Sequence, residues 1–190
     1  MTTHLTKTVP GSLQAQAQAT NTSLAETFLN CDLIALVDTS GSMDAHDAPG
    51  HQKRYDAACT ELAQLQANHP GKLGVIVFSS AVMFCPGGQP PFLAGGTDLV
   101  AALDYVQLVD GLCDLVIISD GEPDDRDAAL QRAERFKASA ISCVYVGPEG
   151  GLGQAFLAKL ARASRGQSVT AANTAQLAER LEPLLLAAGA

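Results

Sequence analysis

Two aspartates, two serines and a threonine are the residues of this chain whose types and spacing suit chemistry. Asp38, Ser40 and Ser42 follow a five-residue apolar run, Leu33-Ile-Ala-Leu-Val37, in the order Asp38-Thr-Ser40-Gly-Ser42. Asp120 closes a second apolar run, Leu115-Val-Ile-Ile-Ser119, and Thr97 follows the pair Gly95-Gly96. A strand that stops at a carboxylate must hold an anion at its end, and the carboxyl ends of strands are where open α/β sheets bind ligands. All five donors are oxygen, with no imidazole or thiolate among them, which suits a hard divalent cation such as Mg²⁺, with Mn²⁺ or Ca²⁺ as alternatives. Three hydroxyls and two carboxylates leave an octahedral ion about one ligand short, open to a carboxylate from outside. Each residue alone also has an ordinary structural use: Ser-Gly-Ser is turn chemistry, Thr97 is a ready helix cap, and a strand-terminal Asp often caps the next helix. Their joint placement at one crevice is what points to a site.

The elements that must position these residues follow from periodicity. Strands are expected at Asp32 to Val37, Leu73 to Ser79, Ala81 to Phe84, Leu115 to Ser119, Ile141 to Val146 and Gln167 to Thr170, with Ala81 to Phe84 as an antiparallel edge strand because only a short turn precedes it. Helices are expected from Lys53 to Pro70-Gly71, over Leu99 to Val106, from about Asp125 to Ser139, and from Leu152 to Ala163. A last helix carries Leu177, Leu181, Leu184 and Leu185 on one face, as any packed helix would. The alternation reads as a Rossmann-like α/β fold: a doubly wound, mostly parallel six-stranded sheet in the order 3-2-1-4-5-6, helices on both faces, the third strand antiparallel. In that order strands 1 and 4 are neighbours, and Asp38 and Asp120 face one crevice.

At 190 residues, 47% of them apolar, the chain suits one domain over 31–190 preceded by an arm or loose helix over 1–30, where Gln and Ala alternate without apolar period. The net charge of -8 argues against nucleic acid. Five widely spaced cysteines without a C-x-x-C pair suggest buried thiols in a reducing compartment. No leader pattern opens the chain and no apolar run suits a membrane span, so a soluble cytoplasmic protein with no membrane partner is expected, signal-independent export aside.

Asp38-Thr-Ser40-Gly-Ser42, Gly95-Gly-Thr97 and Ser119-Asp120-Gly resemble the three loops of the metal-ion-dependent adhesion site (MIDAS) of von Willebrand factor type A (vWA) domains, over roughly residues 31–187. The resemblance implies Ser40, Ser42 and Thr97 as hydroxyl ligands, Asp38 and Asp120 as direct or water-mediated ones, and a protein-binding module rather than an enzyme. It implies a partner that presents Asp or Glu to the metal. Compact intracellular bacterial members of the family serve stress-response systems or partner ATPases, and the last helix can slide on ligand engagement. Integrin-type members carry a second metal site built on acids three and four positions after the last serine; here those positions are Ala45 and His46, so that site is not carried over, and Asp44 and Asp47 are left to tune the rim potential.

Competing chemistry is less well supplied. A phosphatase of the haloacid dehalogenase type needs a second acid two residues after its first, where Ser40 stands. Neither serine lies in a G-x-S-x-G elbow. A metal-dependent hydrolase using the same aspartate-centred crevice would need a general base, for which Glu122 is the candidate. Gly147-Pro-Glu-Gly-Gly-Leu-Gly153 opens a helix after a strand, but Phe156 stands where a dinucleotide loop needs its third glycine, which suggests tight packing instead. Lys53-Arg54 reads as a charge pair with Asp56 or the loop acids. The four histidines show no metal spacing, and His46 and His51 read as solvated loop residues near the rim.

Overall fold

In the computed structural model, residues 8–47, 53–147 and 150–171 are described. The elements are α1 (Leu13–Thr20), α2 (Leu24–Phe28), β1 (Leu33–Asp38), α3 (Arg54–Asn68), β2 (Leu73–Phe78), β3 (Val82–Phe84), α4 (Leu99–Val106), β4 (Asp114–Ser119), α5 (Arg126–Ala133), β5 (Ile141–Val146), α6 (Leu152–Ala163) and β6 (Arg165–Ala171). The sheet order is β3-β2-β1-β4-β5-β6. β3 runs antiparallel to β2, and the other pairs are parallel. The expected fold class is therefore the observed one.

Strands sandwiched between layers must be apolar on both sides, and β1, β2 and β5 are buried at every position. Their alternate residues feed two cores. Ile34, Leu36, Ile76, Phe78, Ile117 and Cys143 pack under α4, α5 and α6. Leu33, Ala35, Val37, Val75 and Val77 pack with Ala58, Leu62 and Leu65 of α3. Register pairs Val37 with Ile118 and Asp38 with Phe78, so β1 and β4 end side by side.

The amino-terminal segment, read as an arm or loose helix, contains two short capped helices. Ser12 caps α1, and Ser23 with Glu26 forms a reciprocal capping box on α2. Ser12 and Leu13 are buried. The helix expected to reach Ser139 stops at Ala133. The distant Asp110 carboxylate accepts the N–H groups of Lys137 (2.9 Å), Ala138 (3.1 Å) and Ser139 (2.8 Å), so a side chain from another loop satisfies the backbone that a longer helix would have used. The last helix, with Leu177, Leu181, Leu184 and Leu185, lies outside the described residues. Among the described residues no helix is long and apolar enough to cross a membrane, and all five thiols are free.

Candidate metal centre

Three loops meet at the carboxyl ends of β1 and β4, and backbone hydrogen bonds tie them together. Gly41 N–H donates to the Gly95 carbonyl (3.2 Å) and Ala94 N–H to that of Thr39 (3.0 Å), joining the first loop to the second. Thr97 N–H donates to Asp124 Oδ1 (3.1 Å) and Asp124 N–H to the Thr97 carbonyl (3.1 Å), joining the second to the third. The structure thus brings Asp38, Ser40, Ser42, Thr97 and Asp120 to one corner of the sheet. Four of them are buried, and Ser42 is exposed in a short 3-10 turn, Gly41–Asp44.

Their ordinary structural uses are mostly filled by other groups. Asp98, not Thr97, caps α4, accepting from Ala101 N–H at 2.9 Å. The Ser40 side chain makes no capping hydrogen bond to the 3-10 turn it precedes; its Oγ lies 3.2 Å from Ser42 Oγ. Asp38 accepts from Ser40 N–H at Oδ1 (2.9 Å) and from the Ser119 hydroxyl at Oδ2 (2.6 Å), which fixes its carboxylate plane. Burial pushes the Asp38 carboxyl up to about 6, with the charge of Asp120 adding to the rise, although the hydrogen bonds from Ser119 and Ser40 pull the other way. Asp120 Oδ1 is buried without a hydrogen-bond partner. A buried carboxylate oxygen with no donor is costly unless something outside the chain's own hydrogen bonds compensates it.

An oxygen-only set with an orphaned anionic atom fits a hard cation. Among the described residues no group of three or more His, Cys, Asp or Glu side chains could hold a metal, so a cation beside the two aspartates would need other oxygen donors, which the hydroxyls offer.

No protein-family model and no curated protein matches the sequence. Solved structures do match. An aerotolerance-related membrane protein from Bacteroides fragilis superposes with a TM-score of 0.64 at 17% identity, over 83% of this chain and 99% of its own. A von Willebrand factor type A protein from Catenulispora acidiphila gives 0.62 at 16%, over 84% and 42%. The chain has the vWA fold. A third vWA-fold neighbour, the manganese-loaded TRAP protein of Plasmodium vivax, gives 0.61 at 19% identity, over 82% and 73%. The vWA fold thus occurs in a membrane protein as well, so the fold lends no support to the cytoplasmic location expected from sequence.

Three residues, Ser119, Asp124 and Arg54, gain a role at the corner that sequence reasoning did not assign. Ser119 braces Asp38 and also accepts from Gly121 N–H (2.9 Å). Asp124 holds Thr97. Arg54, read only as a partner for loop acids, pairs with Asp47 and also reaches Asp120 (3.5 Å). Lys53 pairs with Asp44 at 2.5 Å, so both loop acids left off the second-site register hold cationic side chains.

Gly153 packs against the same corner. A Cβ there would sit 1.9 Å from the Asp120 carbonyl oxygen, and one on Gly121, whose φ is +75°, would sit 2.3 Å from the Gly153 carbonyl. The glycine-rich stretch before α6 is tight packing against the Asp120 loop, as its spacing suggested. Gly153→Ala is expected to cost about 1–3 kcal/mol through overpacking, read as a lower urea midpoint at unchanged m-value.

Proposed function

We propose that this chain is a divalent-cation-dependent protein-binding module in which Asp38, Ser40, Ser42, Thr97 and Asp120 hold Mg²⁺ or Mn²⁺, and a partner protein supplies an Asp or Glu carboxylate. The observation that carries this reading is the orphaned Asp120 Oδ1, buried at the same corner as Asp38 and the Ser40–Ser42 hydroxyl pair. The manganese in the neighbouring TRAP structure agrees with the donor set. A cation bound here supplies a Lewis-acidic position for an external carboxylate. The chain's own residues do the rest: Ser119 and Ser40 N–H aim Asp38, Asp124 positions Thr97, and the Gly121–Gly153 contact holds Asp120 in place.

Hydrolysis at the same corner would require a general base held against the reacting water. Glu122, the candidate for that role, is exposed on the rim, which favours binding over catalysis.

Short peptides with one central Glu, and their Gln counterparts, provide the test. In Mn²⁺ the parent is expected to retain Glu peptides over Gln peptides, with the preference lost in EDTA and in Thr97→Val, which removes a hydroxyl at nearly constant volume. Equal retention of Glu and Gln peptides in Mn²⁺ would refute carboxylate recognition. Turnover of a phosphate ester that disappears with Asp38→Asn would favour the hydrolase instead.

A further inference from the structure

The Arg54 guanidinium lies against the corner from the first turn of α3. Its Nε donates to Asp47 Oδ1 at 2.6 Å and its Nη2 to Asp47 Oδ2, a two-pronged grip that fixes the guanidinium plane. Its backbone is anchored too, since Arg54 N–H donates to the Ala45 carbonyl at 3.0 Å. The remaining arm, Nη1, stands 3.5 Å from Asp120 Oδ2, and both side chains are almost wholly buried. That separation is too long for a good hydrogen bond, so Arg54 gives Asp120 a neighbouring charge and leaves Oδ1 without a donor. Asp120 Oδ1 has no partner at all.

We propose that Arg54 is a positioning residue that acts as the resident counter-ion of Asp120 in the metal-free protein and, being unable to leave, weakens cation binding at that carboxylate. The inference rests on the metal-site reading above. Its physical basis is that a fixed positive charge beside a metal ligand opposes the arrival of a second one, and that the opposition is strong where water is excluded. The same charge relieves the burial of Asp120 when no cation is present. Arg54 therefore has opposite effects on the two forms: it stabilises the metal-free protein and loosens the metal. Asp47 is what makes the arrangement durable, because it holds the guanidinium whether or not Asp120 needs it.

Calorimetric titration with Mn²⁺ and melting without metal, on the parent, Arg54→Met and Arg54→Lys, separate the outcomes. Arg54→Met is expected to bind Mn²⁺ about tenfold more tightly than the parent while melting lower without metal. Arg54→Lys, which keeps the charge but loses the two-pronged grip of Asp47, is expected to bind Mn²⁺ with an affinity between those of the parent and Arg54→Met. If Arg54→Met does not fold, Arg54→Gln is the neutral variant. Tighter binding should coincide with a larger melting shift on adding Mn²⁺. A parent that binds Mn²⁺ with a neutral variant that binds equally or more weakly overturns the role of Arg54 and leaves the metal site standing. A parent that binds no Mn²⁺ overturns the metal site and this role with it.

Discussion

Asp38→Asn is expected to melt higher than the parent in EDTA at pH 7 and to lose the stabilisation that Mn²⁺ gives the parent. Asp38 is fully buried, and its carboxyl is pushed up to about 6, so holding it ionised at neutral pH costs the fold free energy. Asparagine has the same shape. Its Oδ1 keeps the Ser40 N–H bond, and its amide can donate to Ser119 Oγ, which has a second lone pair beside the one Gly121 N–H occupies. Set against the lost charge-assisted hydrogen bonds, the gain is about 1–2 kcal/mol, read as a rise of several degrees in Tm. Cation affinity should fall at least about 100-fold, because even groups that merely orient a ligand are worth 10- to 100-fold. Calorimetric melting with and without MnCl₂ reads both effects at once. A variant that melts lower than the parent in EDTA would show that the ionised carboxylate is a net stabiliser.

The pH dependence of the parent follows from the same residue. The ordinary Asp value of 3.8 applies to the unfolded chain and about 6 to the folded one. Between these values the folded protein holds a proton that the unfolded chain has released, so the Asp38 contribution to stability is full below the unfolded value and declines as pH rises towards 6. Above 6 both states are ionised and the contribution levels off at its lower value. Cation binding runs the other way, since a bound cation requires the ionised carboxylate. Mn²⁺ affinity is expected to fall about tenfold per pH unit below 6 and to be flat above it, with about one proton released per ion bound at pH 5. Titration calorimetry in buffers of differing ionisation enthalpy counts the proton. Affinity unchanged between pH 5 and 7 would sink the assignment of the raised value to Asp38.

Much of this was legible in the residues themselves. Runs of Val, Ile and Leu that end in Asp38 and Ser119 read as buried parallel strands because a strand covered on both faces cannot carry polar residues. The edge position of Val82–Phe84 follows from a connection too short for a crossover. Where α5 ends was not legible. Nothing local in Glu134-Arg135-Phe136-Lys137 stops a helix; the Asp110 carboxylate does so from another loop. Likewise, Thr97 looks like a helix cap until the neighbouring Asp98 is seen to do that work.

By itself, then, the amino-acid order marked out the strands and placed five oxygen-bearing side chains in the loops that follow them, because strand burial and loop composition are local properties; the strand order followed only with the connection rules of α/β sheets. Only the tertiary structure decided the electrical state of that edge. Which carboxylate is braced by Ser119, which oxygen is left without a donor, and which of the nearby cations reaches Asp120 depend on through-space distances between loops far apart in the chain. Asp38 and Asp120 are chemically the same residue. Their surroundings give one two hydrogen-bond donors and leave the other an unpartnered oxygen and a guanidinium 3.5 Å away.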